Sequence, residues 1–132
     1  MRNFIGSKYD SNLTIKDIAK IMRNFIRKQY PECTFSITTS SCIDRNAIII
    51  SLMKSPYKAF FNDSIYELQL NQYYLEEDDK ITNEIKNIMI PIYRTLKDYH
   101  MDNSDIKNSH FDTNFYIRLN VGKWDKPYQI KK

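Results

Sequence analysis

The sequence predicts an α+β fold, a mainly antiparallel sheet of three to four strands with two helices packed on one face. Three observations predict it. Two segments repeat apolar residues every three or four positions, other segments alternate apolar with polar residues, and the order runs helix, strand, strand, short strand, helix, strand. Patterns in that order close one core when both helices cover the same side of the sheet. The 132 residues, 42% of them hydrophobic, suit a single domain with a core of its own.

Residues 1–12 read as an N-terminal arm and residues 13–132 as the domain. Thr14 and Asp17 have the spacing of a capping box, with Asp in place of the usual Glu or Gln. Ile15, Ile18, Ala19, Met22 and Ile26 then form one apolar stripe of a first helix, and Lys16, Lys20, Arg23 and Arg27 line its other side. Pro31 ends this helix just after Tyr30. Phe35 and Ile37 alternate with Thr34, Ser36 and Thr38, as a half-buried strand does. The polar run from Thr39 to Asn46 predicts a loop, and Ala47 to Met53 a second strand. Its apolar Ile48-Ile49-Ile50 centre belongs inside the sheet. A hairpin joins the two strands most simply.

Ser55-Pro56 breaks the pattern, and an aromatic stretch runs from Tyr57 to Tyr74. Within it Tyr66, Leu68 and Leu70 alternate with polar neighbours and predict a short third strand. The acidic run Glu76 to Asp79 precedes a second helix, where carboxylates suit exposed helix N–H groups, and Thr82 is its expected N-cap. Ile85, Ile88, Met89, Ile92, Leu96 and Tyr99 give the buried stripe, with Pro91 expected to kink or restart the helix. Phe115, Ile117, Leu119 and Val121 alternate with Tyr116, Arg118 and Asn120 in a last strand, closed by a turn at Gly122-Lys123.

Composition bounds the chemistry. Two glycines leave no material for a phosphate-cradling loop. Cys33, Cys42, His100 and His110 are the soft metal ligands, but neither the cysteines nor the histidines have the close spacing of a structural zinc site. A Cys42–His110 nucleophilic pair lacks a third group to orient it. The expectation is a protein that is not an enzyme and needs no cofactor or metal. No run of apolar residues is long enough to span a bilayer, and the first residues lack the apolar core of a secretion signal. A cytoplasmic protein with reduced cysteines is expected. Ten Tyr and seven Phe either reflect AT-rich coding or serve surfaces that a partner covers.

Several segments resemble the large polyvalent protein-associated domain of type 29. They are Ile15 to Lys20, Tyr30 to Ile37, Leu70 to Tyr74, and the most distinctive, Phe111 to Tyr116 continuing through Val121 to Pro127. The resemblance implies a small α+β module of phage and mobile-element proteins, found alone or within very large polypeptides that travel with the element's DNA and counter host defences. It implies no catalytic residues. The expected role is binding and inhibition of a host defence protein or ribonucleoprotein, such as a CRISPR-associated nuclease, in the bacterial cytoplasm. Aromatic and arginine anchors for such a partner are Arg23, Arg27, Tyr57, Phe60, Phe61, Tyr73, Tyr74 and Trp124. Asp112 and Asn114, just before the last strand, either meet a partner or bond their own turn. The alternative is a nucleic-acid-binding module using Lys16, Lys20, Arg23, Arg27, Arg118 and Lys123, with Lys126 extending the patch and Tyr116 and Trp124 as stacking surfaces. The net charge of +4 is mild for that role, and the basic stripe is equally the solvated side of an amphipathic helix. A dimer by strand addition is open.

Overall fold

The computed structural model describes residues 4–42, 45–102 and 113–130. In chain order the elements are β1 (Phe4–Ile5), α1 (Ile15–Gln29), β2 (Thr34–Cys42), β3 (Arg45–Ser55) and β4 (Leu68–Leu70). After a 3₁₀ turn at Gln72–Tyr74 come α2 (Asn83–Lys97), β5 (Met101–Asp102), β6 (Tyr116–Val121) and β7 (Gln129–Ile130).

Helix α1 begins as its sequence requires. The Asp17 N–H donates to the Thr14 hydroxyl at 3.1 Å, and the Thr14 N–H donates to the Asp17 carboxylate at 3.0 Å. Two N–H groups with no partner inside the helix are thereby satisfied. The hydrogen bond from the Thr14 backbone, more than that from its hydroxyl, holds the Asp17 carboxyl below its ordinary value. Ile18, Ala19, Met22 and Ile26 are buried, as the stripe predicts. Burial of each large aliphatic chain contributes about 1.5–3 kcal/mol.

Helix α2 runs unbroken through Pro91. Proline has no N–H, so the Asn87 carbonyl four residues earlier loses its intrahelical donor. The Tyr30 hydroxyl, at the end of α1, reaches that carbonyl at 3.5 Å. A residue that closes one helix therefore serves the gap in the other. Thr82 stands at the N-cap position, but its hydroxyl donates to the Lys58 carbonyl at 2.6 Å and makes no cap bond. The acidic run is not part of this helix start. Glu76 instead meets Arg94 at 2.8 Å on the exposed side of α2, a pairing worth at most about 1 kcal/mol.

The sheet is longer and more mixed than the alternation suggests. Five strands take part, in the order β2-β3-β6-β4 with β7 also beside β3, and a separate two-stranded sheet joins β1 to β5. The β2–β3 and β4–β6 pairs are antiparallel, whereas β3 runs parallel to both β6 and β7. The expected loop from Thr39 to Asn46 is corrected. Thr39, Ser40, Ser41 and Cys42 continue β2 and pair with Ile48, Ala47, Asn46 and Arg45. Threonine and serine serve loops and half-buried strands alike, so polarity alone did not mark the end of the strand.

Both helices cover one face. Ile48, Ile50 and Leu52 of β3, Leu119 and Val121 of β6 and Leu70 of β4 join the buried side chains of α1 and α2 in one core. Side chains one residue out of step lie on the other face: Ser36, Thr38 and Ser40 on β2, Ile49 and Ser51 on β3, and Arg118 and Asn120 on β6. No helix is long and apolar enough to cross a membrane among the described residues.

The arm is docked. The Gly6 N–H donates to the His100 carbonyl and the Lys8 N–H to the Asp98 carbonyl, both at 2.8 Å. A Cβ on Gly6 would stand 2.3 Å from the Asp98 carbonyl oxygen, so only glycine lets the arm approach the end of α2 this closely.

Candidate functional site

Predicted contact residues flank both ends of β6, and the two ends differ in kind. At its start, Asn114 is turned inward. Its amide donates to the Tyr99 carbonyl at 2.8 Å and accepts from the Met101 N–H at 2.8 Å. The Thr113 hydroxyl donates to the Met101 carbonyl at 2.7 Å. Asn114 therefore clasps β5 to β6, and its expected availability to a partner is corrected: both ends of the amide bond the protein's own backbone. Asp112 and His110 lie outside the described residues, as does any Cys42–His110 pairing.

His100 packs in the same clasp, edge-on to Phe115 with ring centroids 5.1 Å apart and tilted against Phe4 at 6.1 Å. Its Nδ1 is buried without a hydrogen-bond partner among the described residues. Burial holds the imidazole below its ordinary pKa; the Asp102 charge opposes that shift and the Lys97 charge assists it.

At the far end of β6 the side chains point out. Gly122 takes a positive φ of 74°, and a Cβ there would meet the Tyr66 carbonyl oxygen at 2.6 Å and the Tyr128 nitrogen at 2.8 Å. This glycine lets the chain leave β6 under the 57–66 segment and form the Lys123–Lys126 turn that presents Trp124. Trp124 is 82% exposed, Phe61 62% and Tyr66 55%, and Tyr57 and Ile130 are exposed as well. A groove of about 370 Å³ lies beside Tyr128, with Ala59, Phe60, Ile65, Tyr66 and Ile130 as its apolar and aromatic walls and Lys58, Asn62 and Asp63 as polar ones. Its frame is rigidly tied: the Tyr128 hydroxyl donates to the Tyr57 carbonyl and shares a hydrogen bond with the Ser55 hydroxyl. Burial pushes the Tyr128 hydroxyl above its ordinary value, so it remains a neutral donor.

Within this end one predicted anchor is corrected. Phe60 is buried at 5% exposure, with its ring edge-on to Tyr128, and belongs to the core. Its bridge to Ile81 turns it inward, while Phe61, the next residue, points to solvent. Tyr66 and Ile130 were not legible as surface residues. Tyr66 shares the alternation of Leu68 and Leu70, yet β4 begins only at Leu68. Tyr73 and Tyr74 are exposed on the 3₁₀ turn that follows β4. There the Gln72 amide donates to the Ile117 carbonyl at 3.4 Å, beyond the reach of the short β4.

The basic residues do not form one patch. Lys16, Lys20, Arg23 and Arg27 are exposed on α1, which packs on the core face of the sheet. Arg118 projects from the opposite face. Lys123 reaches across that opposite face to donate to the Ser36 hydroxyl at 2.8 Å. The idea of Arg118 and Lys123 extending the α1 stripe is therefore corrected by the sheet that separates them.

Cys33 is half-buried, and burial, with the neighbouring Glu32 carboxylate, pushes its thiol up to about 12. It stays protonated near neutral pH and is a poor nucleophile. No group of three or more metal-ligating side chains occurs among the described residues.

Comparison with curated proteins and with solved structures brought no match. A family model does match, over residues 13–118, which takes in every element from α1 to the middle of β6. The chain thus belongs to the large polyvalent protein associated domain 29 family, a module associated with phages and mobile elements.

Proposed function

We propose that the protein is a non-enzymatic accessory of a phage or mobile element that binds and inhibits a host defence component, such as a CRISPR-associated nuclease. The observation that carries this reading is the set of exposed aromatics Tyr57, Phe61, Tyr66 and Trp124, with Tyr66 on the wall of a groove whose frame Tyr128 ties. Large exposed aromatics on a well-tied frame are what interface anchors require, because they add much buried area with little ordering cost. Family membership supplies the setting.

The test is capture of partners from a defended bacterial lysate by the tagged chain after nuclease treatment, together with infection assays. A captured defence protein, lost with Trp124→Ala or Phe61→Ala, and phage growth restored by the wild-type chain are the expected results. Failure to restore growth against any of a broad set of defence systems overturns inhibition.

A second reading is favoured by one observation. Lys16, Lys20, Arg23 and Arg27 have no ion-pair partner among the described residues. They would suit a phosphate backbone running along α1, with affinity that falls steeply with salt and with Lys20→Glu. Binding that is flat with salt sinks it.

A further inference from the structure

The outer edge of β2 shows a different kind of binding surface. The Gly122 N–H donates to the Leu52 carbonyl. Even-numbered residues of β3 therefore direct their backbone groups to β6, and odd-numbered ones direct theirs to β2. Through the β2–β3 register, Ser36, Thr38 and Ser40 bond to β3, while Phe35, Ile37 and Thr39 turn N–H and C=O outward. Among the described residues no strand lies beyond β2. Its nine residues, Thr34 to Cys42, contain no proline and no charge, the usual means of blocking such an edge.

Two further observations say what fits there. A groove of about 300 Å³ lies between α1 and this edge, with Ile26, Tyr30, Phe35 and Ile37 as apolar lining. Arg23 and Arg27 also line it, and no carboxylate does. The Arg23 guanidinium donates to the outward Ile37 carbonyl at 2.8 Å, occupying an acceptor that an added strand would use.

We propose that β2 is a docking edge for an extended acidic segment of a partner protein. The segment adds as a strand beside β2, sets an apolar side chain into the groove and places carboxylates on Arg23 and Arg27. Arg23 then leaves the Ile37 carbonyl for a carboxylate and opens the acceptor to the partner's N–H. Charge complementarity selects this occupant over a second copy of the chain. An antiparallel β2–β2 pair centred near Thr38 would bring the two Arg23 side chains together, and like charges at such an interface oppose it. This assignment rests on the reading that the chain works by binding a protein, and it names a second surface for it.

The experiment is selection from a random 12-residue peptide display library on the full chain, followed by binding and amide-exchange measurements on the enriched peptides. Enriched sequences should alternate Asp or Glu with β-branched or aromatic residues and should slow exchange at Phe35, Ile37 and Thr39. Arg27→Glu should weaken them about tenfold, the equivalent of about 1.4 kcal/mol. Thr39→Pro removes only an outward N–H, so it should abolish binding while the melting temperature stays near wild type. Trp124→Ala should leave peptide binding unchanged. Enrichment of neutral or basic peptides, undiminished binding to Arg27→Glu, protection elsewhere, or no enrichment overturns the proposal. So does a dimer in light scattering that Thr39→Pro dissociates. If a host partner is captured through Trp124 but the library yields nothing, the docking edge falls and the proposed function stands. Acidic peptides bound at β2 with no host partner captured give the reverse.

Discussion

The two ends of β6 carry similar sequence, aromatic residues mixed with Asn, Asp and Lys, yet they have opposite roles. At the start, Thr113, Asn114 and His100 direct their polar or aromatic groups inward and fasten β5 to β6. At the finish, backbone and tyrosine hydroxyl bonds fix the frame, which leaves Trp124, Phe61 and Tyr66 facing solvent. The difference teaches that a polar residue beside a strand is used by the protein itself when a buried backbone group lies within reach. An aromatic residue is left facing solvent when the backbone beneath it is already satisfied.

The sharpest way to break this comparison is within the far end, at adjacent phenylalanines. Phe60→Ala should cost about 3–5 kcal/mol in chemical denaturation, because it empties a core site. Phe61→Ala should lie within about 0.5 kcal/mol of wild type and act on partner capture alone. Equal losses for the two would mean that the exposed end is structural. Next in size is Asn114→Ala, which leaves the Met101 N–H and the Tyr99 carbonyl without their partner. A loss of about 2–3 kcal/mol with partner binding intact is expected. Loss of capture without loss of stability would return Asn114 to the binding surface.

The clasp should also respond to acid. His100 has a lowered pKa in the folded state, so the unfolded chain binds its proton more readily. Stability from this group is fully present above the unfolded value near 6.5 and falls as pH drops from there toward the lowered folded value. Protection of the Gly6 and Met101 amides, relative to their intrinsic exchange at each pH, should fall over that window, ahead of protection near Tyr128, and His100→Leu should flatten the response. A small effect belongs to Tyr30→Phe. Loss of the long bond to the Asn87 carbonyl should lower stability by at most about 1 kcal/mol, measured by thermal melting.

Much of the fold was legible where one physical rule acts alone. The α1 stripe and its Thr14–Asp17 box follow from helical period and unsatisfied N–H groups, and the inward set of β6 follows from a period of two. Legibility failed where two rules give the same residue type. Thr39 to Ser41 suit a loop and an edge strand equally, and register against β3 decides the matter. The parallel β3–β6 pairing depends on a connection too long for local pattern to reveal. Of the predicted anchors, Trp124, Phe61, Tyr57, Tyr73 and Tyr74 are exposed, and Phe60 is internal. Neighbouring aromatics with opposite fates carry no local signal that separates them.

The place of β6 between β3 and β4 has a consequence for synthesis. β4 pairs with no strand but β6 among the described residues, and the centre of the sheet is completed by β6, which follows β3 only after β4 and α2. On a ribosome adding ~5–20 residues per second, a nascent chain therefore waits on the order of seconds between finishing the β2–β3 hairpin and receiving β6. During that wait the inner row of Ile48, Ile50 and Leu52 has helix α1 on it but no neighbour along its far side. Completion of the sheet thus waits for β6, and a stop before Tyr116 would release a sheet without its middle.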